Sequence, residues 1–313
     1  MTAPGVSINT KWILFILAGF LGLALAAGAW IWFRRPDLAL AGVYRIYVLR
    51  SGLHDEVVDA PGHKFLVYTG GKMNATPVLM IHGFGDSRIS FGQAAQFLSP
   101  HLRLVLPDVP GFGDTPEDPA VNHGISTQVA AMKSLLDAMG IQRVSLVGNS
   151  MGGHISAAFT LTHPEMVEKL VVLNPAGLRV DDPNPYSDAA APLESDADFD
   201  AYMDKLFFKR PWIPAPFRKD FITKANARFA WLNRIRGEIR GDKDYILNDR
   251  IAGISVPTLI LWGRHDRIIS PVHAPIWHEK IKNSRMEIWE DAGHSPQYEY
   301  PERTANLLLE FLR

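Results

Sequence analysis

Gly148-Asn149-Ser150-Met151-Gly152 constrains this chain more than any other stretch. The pentapeptide follows an apolar run, Val144-Ser145-Leu146-Val147, and opens a segment with helical periodicity, Ile155 to Leu161. Gly-x-Ser-x-Gly between a strand and a helix is a nucleophile elbow. The turn is so tight that its central residue is strained, the glycines leave room for the backbone, and the serine hydroxyl stands above the sheet.

The rest of the chain supplies the layers that such a turn needs. Val78 to Ile81, Arg103 to Leu106, Leu170 to Leu173, Pro257 to Gly263 and Arg285 to Trp289 read as buried strands. Phe91 to Leu98, Thr127 to Met139 (stopped by Gly140) and Pro301 to Leu312 have helical spacing. Strands and helices alternating at this interval predict a mostly parallel sheet wrapped by right-handed crossovers. Before it, Tyr44 to Val48, Glu56 to Val58 and Lys64 to Thr69 read as short strands, punctuated by Pro61-Gly62 and Gly70-Gly71, and Arg34 to Gly42 as a linker.

The alternation stops after Asn174-Pro175-Ala176-Gly177, and no strand pattern returns until about Ile251. This insertion predicts a mostly helical cap in two tones. Asp181 to Asp204 carries eight acidic residues and no Lys or Arg; Lys205 to Arg236 carries nine basic residues, interleaved with Phe207, Phe208, Trp212, Phe217, Phe221, Phe229 and Trp231. Either the halves neutralise one another with the aromatics packed inward, or the basic, aromatic half faces anionic lipid or frames an apolar entrance.

Trp12 to Phe33 is an unbroken run of about 22 apolar or glycine residues, where a bilayer core needs roughly 20. Trp12, Trp30 and Trp32 sit where aromatic belts lie, so a membrane-spanning helix is expected. A cleaved signal peptide is the rival, with Ala26-Ala27-Gly28-Ala29 as its small residues, but the run is long and Met1 to Thr10 lacks a basic start. Lys11 precedes the span while Arg34, Arg35, Arg45 and Arg50 follow it, which favours a cytoplasmic catalytic domain. The expected organisation is a membrane anchor over 1–35, a core over 36–177, a cap over 178–251 and the rest of the core over 252–313.

A net charge of −1 gives no electrostatic reason to expect a nucleic-acid partner. With no cysteine, thiol nucleophiles, disulfides and Cys-based metal sites are excluded.

Three residues able to perform acyl transfer each follow a predicted strand: Ser150, Asp266 and His294. The crevice of a parallel sheet lies outside the carboxyl ends of its strands, so they can converge. His294 would take the serine proton and return it to the leaving group, and Asp266 would hold the imidazole in the required tautomer. The oxyanion donors would be the N–H of Met151, after the nucleophile, and that of Phe84, in His82-Gly83-Phe84-Gly85. His82 reads as a brace for that loop and Asp108 as structural. His265 reads as pointing away from the site, and Asp291 as organising its own loop.

The elbow, the His-Gly-Phe-Gly loop, Asp108-Val109-Pro110-Gly111-Phe112-Gly113, Trp262-Gly263-Arg264-His265-Asp266 and Gly293-His294-Ser295-Pro296 occur together and in order. From Lys64 onward the chain thereby resembles the α/β-hydrolase superfamily, which implies a mostly parallel eight-stranded sheet flanked by helices. The N-terminal anchor, Ser150-Met151-Gly152-Gly153, Pro175-Ala176-Gly177-Leu178 and the aromatic, basic cap resemble membrane-anchored monoacylglycerol lipases. That implies hydrolysis of monoacylglycerols or similar lipid esters through an acyl-enzyme, without a cofactor and beside a lipid bilayer. Gly148 to His154 and Trp262-Gly263-Arg264 also resemble meta-cleavage C–C hydrolases, which usually follow the catalytic histidine with tryptophan where Ser295 stands here. A non-catalytic receptor or scaffold of the same fold is the remaining alternative.

Overall fold

The computed structural model describes residues 10–181, 191–242 and 246–313, without the side chains of 10–20 and 24. Its centre is an eight-stranded sheet in the order β1-β2-β4-β3-β5-β6-β7-β8. The strands are β1 (Leu53–Ala60), β2 (His63–Gly71), β3 (Pro77–Ile81), β4 (Arg103–Pro107), β5 (Val144–Asn149), β6 (Val167–Leu173), β7 (Thr258–Gly263) and β8 (Ser284–Trp289). β2 runs antiparallel to β1 and β4, and every other pairing is parallel. The expected sheet is therefore present, with β1 longer than Glu56 to Val58.

Strand side chains alternate between the two faces because successive Cβ atoms point opposite ways. Leu79, Ile81, Leu146, Leu170, Val172, Ile260 and Trp262 join one buried cluster. Val78, Met80, Val147, Val171, Leu173, Leu259 and Leu261 join the other. The first is covered by α4 (Ile125–Ala138), α5 (Met151–Thr162) and α9 (His273–Lys280), the second by α3 (Gly92–Leu98) and α11 (Pro301–Leu312). With both faces covered, the inner strands β3, β4 and β7 are apolar along most of their length.

The expected linker over 34–42 and strand over 44–48 are instead a helix, α2 (Pro36–Arg50). Pro36 stands in its first turn with Asp37, where a missing N–H and a negative charge suit a helix start. Tyr44 and Val48, four residues apart, lie on one side and pack with the α3 cluster. The aromatic and β-branched residues that imitate a strand are held helical by this tertiary contact.

Ahead of α2, α1 (Thr10–Arg34) is a 25-residue helix, about 37 Å long at 1.5 Å per residue. Among the described residues no helix is long and apolar enough to cross a membrane, and positions 12–20 and 24 of the expected span lie outside that description.

Between β6 and β7 the described residues form α6 (Asp196–Leu206), α7 (Ala215–Ala227) and α8 (Phe229–Gly241), and no strand. Asp182 and Asp188 of the acidic half lie outside the described residues. Asp200 pairs with Arg210 and Arg218 at 3.0 Å each, so the two tones do neutralise one another in part. Phe199 and Trp231 are buried, yet Trp212 is 82% exposed, so the aromatics divide between the interior and the surface.

Candidate active site

β5 delivers Ser150 at φ 55°, ψ −117°, a conformation that costs a non-glycine residue on the order of 1–3 kcal/mol. Its surroundings enforce it. The Ser150 N–H donates to the Leu173 carbonyl at 2.9 Å, and its own carbonyl accepts from the His154 and Ala176 amides at 3.1 Å. The flanking glycines are required by closeness, since a Cβ on Gly152 would lie 2.0 Å from the Ile81 oxygen and one on Gly148 2.2 Å from the Gly152 oxygen.

Asp266 follows β7, and its carboxylate gathers four donors. Oδ1 accepts from the amides of Ile268 (2.8 Å) and Ile269 (2.9 Å). Oδ2 accepts from Asn174 Nδ2 (2.6 Å) and from His294 Nδ1 (2.8 Å). Because the carboxylate only accepts, Nδ1 carries the imidazole proton and Nε2 is left with a free lone pair, the form a general base needs. Both side chains are buried, out of competition from water.

The His294 loop is fastened to the elbow through Asn149, the residue before Ser150. Asn149 Nδ2 donates to the His294 and Leu173 carbonyls at 3.1 Å each, and its Oδ1 accepts from Gln297 at 3.2 Å. The oxyanion loop reaches the same place: a Cβ on Gly83 would stand 3.4 Å from Ser150 Cβ. Phe84 follows in that loop, and Met151 opens α5. The five expected site residues thus all follow the carboxyl ends of strands β3, β5, β7 and β8. No hydrogen bond joins Ser150 Oγ to the imidazole among the described residues; the direct link is between His294 and Asp266.

The neighbouring groups have structural partners. His82 Nε2 accepts from the Val109 amide (3.0 Å), which leaves its Nδ1–H for the Gly83 carbonyl (2.8 Å) and braces the oxyanion loop. Asp108 accepts from the Arg88 amide and guanidinium and from the Asp114 amide. Asp291 pairs with Arg303 at 2.8 Å. His265 stacks on Phe208 with ring centroids 4.2 Å apart.

Sequence reasoning passed over three groups. In the sequence Asn174 marks only the place where the alternation stops, and it touches Asp266. Asn149 was read only as the variable residue of the elbow. Glu299, in α10 (Pro296–Glu299), accepts from the Gly293 and Phe208 amides at 2.7 Å each, joining the His294 loop to the exit of α6. Burial raises the Glu299 carboxyl above its ordinary range. Asp86 is raised by burial too, and the Tyr298 hydroxyl donates to it at 3.0 Å. A polar residue just past a buried strand is the signal that would have found Asn174.

Known proteins resemble this chain in sequence and in fold. Over 308 residues the chain is 27% identical to the monoacylglycerol lipase ABHD6 of Mus musculus, covering 93% of this chain and 90% of that one. The crystal structure of a membrane phospholipase A described as a bacterial virulence factor superposes with a TM-score of 0.83 at 30% identity, covering 95% and 97% of the two chains. A meta-cleavage product hydrolase from Pseudomonas fluorescens superposes at 0.73 with 22% identity over 82% and 96%, a likeness of fold. Residues 78–307 match the model of the alpha/beta hydrolase family, so the chain belongs to that family.

Proposed function

We propose that this α/β hydrolase cleaves the carboxylic ester of a lipid substrate such as a monoacylglycerol, using Ser150, His294 and Asp266. One observation carries the reading: a buried imidazole holds its Nδ1 proton against Asp266 at 2.8 Å beside a strained, glycine-flanked serine. The names of the relatives, a monoacylglycerol lipase and a membrane phospholipase A, support a lipid ester over other acyl compounds.

In the reaction Ser150 Oγ attacks the ester carbonyl as Nε2 takes its proton. The developing oxyanion accepts from the Phe84 and Met151 amides, and the alcohol leaves with the proton from Nε2. Water then repeats the sequence on the acyl-serine. Apo catalytic hydrogen bonds often tighten only with substrate, so the Ser150–His294 bond belongs to the Michaelis complex.

The organisation proposed with it is an anchor over 1–35, a core over 36–177 and 252–313, and a helical cap over 178–251. The anchor would hold the site beside a bilayer in which the substrate is dissolved. Exposed Leu21, Leu23, Leu25, Trp30 and Phe33 on α1 support it, and the arginines after the span favour a cytoplasmic catalytic domain.

Ser150→Ala tests the assignment on monoacylglycerol, on short p-nitrophenyl esters and on a vinylogous diketone. The proposal requires ester turnover to vanish with the fold intact. Full ester activity in the variant removes the nucleophile, turnover of the diketone alone points to C–C hydrolysis, and a serine-directed probe that leaves Ser150 unlabelled points to a scaffold.

A further inference from the structure

Asn174 is fully buried at the end of β6 and holds φ +47°, the second non-glycine positive φ among the described residues besides Ser150. Its Oδ1 has no hydrogen-bond partner. Two unfavourable features in one buried side chain persist only where the surroundings impose them. What Asn174 gains is a 2.6 Å bond from Nδ2 to Asp266 Oδ2, the oxygen that also meets His294 Nδ1. The second Nδ2 hydrogen reaches the Gly293 carbonyl at 3.3 Å, next to His294. The reverse amide orientation would set oxygen against the carboxylate, so the acceptor fixes which end faces Asp266.

We propose that Asn174 is a positioning residue for the acid–base pair: one amide fixes the Asp266 oxygen that orients the imidazole and ties the His294 loop to the same strand end. This rests on the Ser150–His294–Asp266 reading. A purely local role is the competing account, because asparagine tolerates a positive φ and this one opens a turn. Glycine separates the two, since it adopts that φ more easily and carries no donor.

The experiment measures kcat, KM and thermal midpoint on p-nitrophenyl butyrate for the full chain in detergent and for Asn174→Gly, Asn174→Asp and Asp266→Asn. Positioning requires Asn174→Gly to melt no lower than the parent, keep its KM and lose roughly 10- to 100-fold in kcat, the range for one hydrogen bond to a charged group. Asn174→Asp puts a second carboxylate against Asp266, favours the imidazolium and moves the acid limb of the kcat profile to higher pH. Parental kcat in Asn174→Gly, with activity lost in Asp266→Asn, overturns the proposal alone. Full activity in Asp266→Asn removes the triad reading itself. Should Asn174→Gly not fold, an unmoved acid limb in Asn174→Asp overturns the proposal.

Discussion

Two carboxylates beside the His294 loop, Asp266 and Glu299, are met by backbone and amide N–H groups, whereas Asp200 in α6 and Glu117 against α8 are met by guanidinium groups near the surface. Asp266 has two backbone amides, Asn174 and His294, and Glu299 has two backbone amides. Asp200 has Arg210 and Arg218, and Glu117 has Arg228. Backbone donors cannot swing away without unfolding a turn, whereas paired long side chains in water exchange partners at little cost. The first arrangement fixes side-chain positions, and the second leaves its helices freer to shift.

Substitutions graded by expected effect break this contrast or sharpen it. His294→Ala removes the base, and esterase activity should fall by about 10⁴-fold or more, read as kcat/KM on p-nitrophenyl butyrate with melting unchanged. Gly152→Ala drives a methyl into the backbone oxygen of Ile81, where no side chain can yield. It should cost about 3 kcal/mol or more by chemical denaturation and abolish the elbow.

Glu299→Gln should cost about tenfold in kcat, because one amide nitrogen then faces an N–H. Its stability follows the opposite sign. Burial is the largest cause of the raised Glu299 value, so ionising this group weighs against the fold. Its contribution is complete below the ordinary glutamate value of 4.5 and is lost as pH rises through the raised one. Melts from roughly pH 4 to pH 8 should show the variant gaining on the parent as pH rises. Asp200→Asn, in α6, should change stability by less than about 1 kcal/mol, with the difference shrinking in salt.

The contrast also marks how far the sequence could be read. The parallel strands and α11 were legible because buried strands and an amphipathic closing helix write their periods into local residues. The candidates Ser150, Asp266 and His294 stand out in the sequence because each follows such a strand. α2 was not, since Tyr44 and Val48 look like strand residues until α3 is in place beside them. Asn149, Asn174 and Glu299 were not, because their roles consist of hydrogen bonds to residues between 91 and 145 positions away, or to backbone groups that any sequence supplies.

One contact lies outside both patterns. The Trp32 ring, at the end of α1, rests edge-on against Phe217 of α7 with centroids 4.8 Å apart. The N-terminal helix therefore touches α7 directly, without the sheet as intermediary. Under the proposed organisation, cutting away residues 1–33 removes a support of α7 as well as the anchor, so turnover of a substrate drawn from a lipid phase should fall further than turnover of a soluble ester.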